Sequence, residues 1–102
     1  MSLIYRIAEA RSAHEKLRPA SPSRLSDDDL SAASREVVHS LEALLPAAQA
    51  HPQAARLWRA IMRLTADAEL QAVVRNSNDV FSEASAVWLE YEFLERAFAE
   101  AE

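Results

Sequence analysis

Residues 79–101, DVFSEASAVWLEYEFLERAFAEA, carry the clearest periodic pattern in the chain. The apolar and small side chains recur at alternating intervals of four and three residues: Val80, Ala84, Val87, Tyr91, Leu94 and Phe98. At about 100° per residue, these six fall within roughly 40° of one direction, which is the buried seam of an amphipathic helix. The pattern predicts a helix from residue 79 to about residue 101.

Two more helices are predicted in the first half of the chain. Residues 2–17 place apolar or small residues on one seam, and Ser2 is available as their N-cap. Ser26 precedes three aspartates, which favour the positive end of a helix dipole, so a second helix is predicted from Ser26 until Pro46 stops it. Residues 18–25 between them contain two prolines and two serines and predict a linker.

A further helix is predicted to start at His51 and Pro52, because proline is tolerated in a first turn. Its end has two interpretations. Residues 65–75 either continue the helix with a bend or form a separate short helix.

Composition supports helices throughout. The sequence has no glycine, which removes the usual residue for hairpin turns and for phosphate-cradling loops. We therefore predict an all-α fold, a small antiparallel bundle of four or five helices, with residues 1–102 forming one helical domain.

Charge and cysteine content limit the expected partners and cellular compartment. The net charge is −5, which argues against nucleic acid and anionic membranes as partners. The sequence has no cysteine and no secretory leader pattern, so we expect a cytoplasmic protein. It also has no run of about 18 apolar residues, so we expect that it does not enter a membrane.

The histidines give no chemical site. Glu36 and His39 have the Glu-x-x-His spacing of di-iron bundles, but only one copy is present and the helix seam turns the pair outward. His14 lies on an apolar seam and is interpreted as a hydrogen-bonded interior histidine, and His51 as a turn residue. We predict no catalytic residue, no metal site and no cofactor, and hence no enzyme.

Arg56, Arg59 and Arg63 form a basic ridge on the predicted third helix. Residues 51–75 carry four arginines and two acids, whereas residues 76–102 carry one arginine and seven acids. We therefore expect the basic ridge to pair with acids of the same molecule or its dimer mate, in preference to phosphates.

The last helix also has a second apolar side, which predicts an interface. Leu89 and Phe93 point almost opposite to its seam, and Phe81 and Trp88 flank the seam. The leading hypothesis is a non-catalytic protein–protein interaction module (a small regulator, adaptor or dedicated chaperone) whose partner is another protein or a second copy in a homodimer. The alternative is a bundle that binds a small ligand or metal in its core, using His14 and inward carboxylates.

Overall fold

Helices account for nearly all of the residues that the computed structural model describes, which are 2–17, 26–74 and 84–101. They are α1 (Leu3–Lys16), α2 (Asp27–Glu42), α3 (Leu45–Gln49), α4 (Ala54–Val74) and α5 (Ala84–Ala101). These ranges contain no strand. The prediction of a small all-α bundle is confirmed.

The start of α2 follows the predicted capping chemistry. The Ser26 hydroxyl accepts a hydrogen bond from the backbone N–H of Asp29 at 3.2 Å, and the three aspartates occupy the first turn. Carboxylates there favour the partial positive charge of the free N–H groups. Ser2 occupies the corresponding position before α1, but its side chain makes no capping bond.

Pro46 acts differently from the prediction. The predicted second helix ran as far as Pro46, but α2 ends at Glu42. Pro46 lies in the first turn of α3, where its missing N–H needs no partner within the helix. It therefore helps to begin a short helix, in addition to preventing α2 from continuing.

The structure decides between the two interpretations of this segment over residues 65–74, where α4 continues unbroken to Val74. The Thr65 hydroxyl donates to the carbonyl of Met62 at 2.9 Å and is satisfied within the helix, so it caps no new one. At the other boundaries, the linker at 18–25 and residues 79–83, including Phe81, lie outside the described residues.

All five helices contribute to one cluster of buried apolar residues. Helix α1 packs on α2 and α5, and α4 packs on α2, α3 and α5. The largest fully buried side chains include Phe98, Tyr91, Ile7 and Leu41. Among the described helices, none is both long enough and apolar enough to cross a bilayer.

His51 lies in the turn between α3 and α4, as predicted, and its contacts connect that turn to α5. The predicted start of the helix at His51 and Pro52 is wrong by two residues, because α4 begins at Ala54 and Pro52 stays in the turn. Its Nδ1 accepts the backbone N–H of Gln53 at 3.0 Å, and its Nε2 lies 3.2 Å from the carbonyl oxygen of Ala97. The ring meets the edge of Phe98 with centroids 6.0 Å apart. These contacts fix where α4 begins relative to the end of α5.

Burial ranks the expected effects of truncation. Phe98 is 1% exposed, whereas Leu3 is half-buried at the edge of the core. We predict that Phe98→Ala lowers the free energy of unfolding by about 3–5 kcal/mol, and Leu3→Ala by well under half of that, because its site stays open to solvent. Urea unfolding followed by circular dichroism measures both. Equal losses would contradict the core described above.

Candidate functional site

Three polar side chains meet in the interior, one from each of α1, α4 and α5. We call His14, Asp67 and Tyr91 the polar cluster. His14 Nε2 lies 2.6 Å from Asp67 Oδ2, and His14 Nδ1 lies 2.7 Å from the Tyr91 hydroxyl oxygen. That hydroxyl also lies 3.3 Å from the carbonyl oxygen of Ala10. His14 and Tyr91 have no exposed surface, and Asp67 is 8% exposed.

The cluster confirms the interpretation of His14 as a hydrogen-bonded interior residue. Both ring nitrogens are engaged, so in this conformation His14 offers no free lone pair to a metal ion. Within ranges 2–17, 26–74 and 84–101, no three His, Cys, Asp or Glu side chains form a group that could hold one.

Trp88 covers the cluster on its outer side. Its ring centroid lies 6.0 Å from that of His14 and 5.8 Å from that of Tyr91. The guanidinium of Arg11 sits 5.8 Å from the centroid of Trp88 and donates to Glu95 at 3.1 Å. Trp88, a predicted interface residue, is therefore half-buried and takes part in packing α1 against α5.

Gln71 adds a further polar group to the interior. It lies one helical turn after Asp67, is fully buried, and its amide nitrogen and oxygen have no hydrogen-bond partner among the described residues. Leaving a buried amide unsatisfied costs free energy, so a polar group that reached Gln71 and bonded to its amide would stabilise this part of the core.

The other predicted interface residues on α5 differ in exposure. Leu89 is 62% exposed. Phe93 is half-buried beneath the guanidinium of Arg56, which lies 4.2 Å from its ring centroid. Phe81 lies outside the described residues, so among those described the outer face of α5 exposes Leu89 as its one large apolar side chain.

The three arginines of the basic ridge differ in their contacts. Arg56 forms a two-pronged pair with Glu90, through nitrogen–oxygen distances of 2.9 and 3.1 Å. The hydrogen bonds to Glu90 raise the pKa of Arg56 above its ordinary value, against the opposing effect of burial. Arg59 and Arg63 are exposed and form no ion pair with a described residue.

The outer face of α4 carries an apolar row that the sequence analysis missed. We call Trp58, Met62, Ala66, Leu70 and Val73 the apolar stripe. Its members recur at intervals of four, four, four and three residues, so they lie within roughly 60° of one direction. The four large side chains are 42%, 38%, 51% and 82% exposed, respectively, and Ala66 is exposed at the centre.

The stripe lies on the side of α4 opposite to its buried seam, which is Leu57, Ile61, Leu64 and Ala68. Only one seam is needed for packing within a small bundle, so a second apolar row has no role in the described core. The interval of four is visible in the sequence, but the stronger apolar pattern of α4 is the buried seam on its opposite side.

Glu36 and His39 are both exposed on α2, as predicted. His39 lines a shallow cleft of about 200 Å³ with Glu42 and Glu69, among other residues. These side chains do not form a metal-binding group. The cleft is open to solvent and does not form an enclosed binding site.

No protein-family model, no curated protein and no solved structure matches this chain. Its function therefore has to be inferred from its own surface and interior.

Arg56 is paired with Glu90 and Arg59 is exposed on the same helix, so the basic ridge offers a matched pair of variants. We predict that Arg56→Ala lowers the free energy of unfolding by about 1–2 kcal/mol, because it removes a two-pronged bond and leaves the buried Glu90 without that partner. Arg59→Ala, on the same helix but exposed, should change it by less than about 0.5 kcal/mol. Urea unfolding at low and high salt measures both. Equal effects would mean that the Arg56–Glu90 pair contributes nothing specific.

Proposed function

We propose that this protein is a non-catalytic protein–protein interaction module that self-associates through the apolar stripe of α4. The observation that carries the proposal is the row of four large apolar side chains, each at least 38% exposed, on one continuous helix face. Contiguous apolar patches on a small protein favour association, because burying them removes that surface from water.

The stripe is suited to a second copy of itself. Ala66 is its midpoint, and Met62 and Leu70 lie one turn before and one turn after it. A two-fold axis near Ala66 with antiparallel helices would place Met62 of one protomer opposite Leu70 of its partner. The small alanine at the centre would let the two backbones approach closely.

Charges border the stripe in the arrangement expected of an interface rim. Arg59 and Arg63 lie along one side and Glu69 along the other, all three exposed. Interfaces typically have an apolar centre and a polar rim, and arginine is enriched in them. Phosphate binding is less well supported, because Arg56 is held by Glu90 and the chain carries a net charge of −5.

This location of the surface differs from the sequence-based proposal, which placed the interface on α5. Among the described α5 candidates, Trp88 and Phe93 are partly used in packing within the chain, and Leu89 remains as a single exposed large apolar side chain. A role as a small cytoplasmic regulator, adaptor or dedicated chaperone is compatible with a surface of this kind and stays part of the proposal.

A core ligand is the second candidate, and Gln71 is the observation in its favour, since it is buried without a hydrogen-bond partner among the described residues. Against it, both ring nitrogens of His14 are engaged within the chain. We therefore place protein association ahead of ligand or metal binding.

The stripe can be tested by charge substitution. We predict that the wild-type protein forms a concentration-dependent dimer and that Met62→Glu with Leu70→Glu weakens dimerisation at least tenfold. Each glutamate would have to be desolvated at the interface, and each substitution would remove apolar contact worth about 1 kcal/mol. Sedimentation equilibrium measures the dimerisation constant, and circular dichroism checks that the variant stays helical.

Leu89→Glu is the control, because Leu89 is also an exposed apolar residue (62%, against 38% for Met62 and 51% for Leu70) but lies on α5. It should leave dimerisation unchanged. A reversed result, with Leu89→Glu monomeric and the α4 variant dimeric, would move the interface to α5. A wild-type protein that stays monomeric at every soluble concentration would overturn self-association.

A further inference from the structure

Methionine is the only source of sulfur in this chain. The sequence has two methionines and no cysteine, so no thiol competes for an oxidant. Met1 lies outside the described residues, and Met62 is the one sulfur-containing side chain within them. Methionine is a common target of oxidants, because its thioether sulfur takes up an oxygen atom to give a sulfoxide. In the part of the chain that the structure describes, sulfur oxidation is therefore limited to a single position.

Met62 lies where a change of polarity affects association more than folding. It belongs to the apolar stripe, one helical turn after Trp58 and one turn before Ala66, and its side chain is 38% exposed. Its neighbour Ile61 is fully buried and belongs to the core cluster, whereas Met62 does not. A small oxidant can therefore reach the Met62 side chain in a free protomer without opening the core.

We infer that Met62 is an oxidation site that controls self-association, and that conversion of its thioether to the sulfoxide by a hydroperoxide separates the two copies. This role of Met62 rests on the proposed dimer through the apolar stripe. It adds that the dimer is sensitive to oxidant and that one side chain is responsible for the sensitivity.

The oxidation is a transfer of one oxygen atom. A lone pair of the Met62 sulfur attacks one oxygen of hydrogen peroxide, and the O–O bond breaks. The proton of the transferred oxygen passes to the departing hydroxide, so the products are the sulfoxide and water. Sulfur loses two electrons and the peroxide gains them. Thiol-dependent reductases restore the thioether, with the oxygen leaving as water and two thiols joining as a disulfide, so the modification is reversible.

The sulfoxide oxygen is a hydrogen-bond acceptor that an apolar interface does not satisfy. In the free protomer water bonds to it, because the Met62 side chain is exposed. In the proposed dimer it would lie opposite Leu70 of the partner subunit, which has no donor to offer. The two-fold axis places one sulfoxide from each copy in the interface, so the desolvation cost is incurred twice. Association in turn covers the sulfur, so we expect the dimer to be oxidised more slowly than the monomer.

Peroxide treatment of the wild-type protein tests this role, with Met62→Leu as the matched control. Leucine keeps an apolar side chain of similar volume but has no sulfur. We expect both untreated proteins to dimerise. Treatment should weaken the wild-type dimer by about tenfold or more and leave the Met62→Leu dimer unchanged, although Met1 is oxidised in both. Sedimentation equilibrium measures the dimerisation constants, and circular dichroism checks that the treated proteins stay helical.

Tryptic peptides locate the added oxygen. Trypsin cleaves after arginine, so it releases Met62 in the peptide 60–63 and Trp58 in the peptide 57–59. With peroxide in large excess, the oxygen should appear in the peptide 60–63, and more slowly at protein concentrations where the dimer predominates. An oxidation rate of that peptide that does not depend on protein concentration would overturn the inference, because Met62 would then not be covered in the dimer.

The contrary results are distinguishable from one another. An untreated wild-type protein that stays monomeric overturns both self-association and the role of Met62. A wild-type protein fully oxidised at Met62 that dimerises like the untreated one overturns the role of Met62 and leaves self-association standing. Loss of the dimer in treated Met62→Leu would assign the effect to another residue, and loss of helix in the treated wild type would assign it to the core. Either result would overturn the inference.

Discussion

The hydrogen bond between His14 and Asp67 is the constraint around which the described helices are arranged. A fully buried imidazole must have partners for both ring nitrogens, because an unsatisfied buried polar group costs about 1–3 kcal/mol. Those partners come from α4 and α5, so α1 can pack only where both helices present them. Apolar packing supplies most of the driving force for folding, and the polar cluster limits how the three helices can be aligned.

The alignment also determines what α4 exposes. Asp67 points into the interior beside the seam of Leu64 and Ala68, and the opposite side of the same helix carries the apolar stripe. Because α4 is unbroken over Ala54–Val74, the whole stripe lies on one continuous helix. A docking surface on a rigid helix loses little conformational entropy when a partner binds. The His14–Asp67 hydrogen bond and the apolar stripe therefore lie on different sides of α4.

Much of the fold was predictable because the informative signals are local. The seam of α5, the Ser26 cap and the turn at His51 each depend on residues close together in sequence. The interior role of His14 was also predictable, since a histidine on an apolar seam has to be satisfied there. Its partners were not, because Asp67 and Tyr91 are 53 and 77 residues away and only packing brings them together.

The functional surface shows the same limit. Periodicity indicated that α5 is apolar on two sides, but it could not reveal that Phe93 would be covered by Arg56. Conversely, the interval of four along α4 was visible, yet whether Trp58 and Leu70 face solvent depends on which side its neighbours cover. The boundary at Pro46 was misjudged because a proline that ends one helix can also begin the next.

The most direct measurement for the proposed function uses the absence of cysteine from the sequence. In Ala66→Cys the new thiol is unique, and a disulfide needs Cα atoms within about 7 Å. If two copies meet at the centre of the apolar stripe, mild oxidation of Ala66→Cys should give a covalent dimer rapidly and nearly completely. Leu89→Cys, exposed on α5, should react slowly under the same conditions. Fast cross-linking through Leu89→Cys with none through Ala66→Cys would contradict the account.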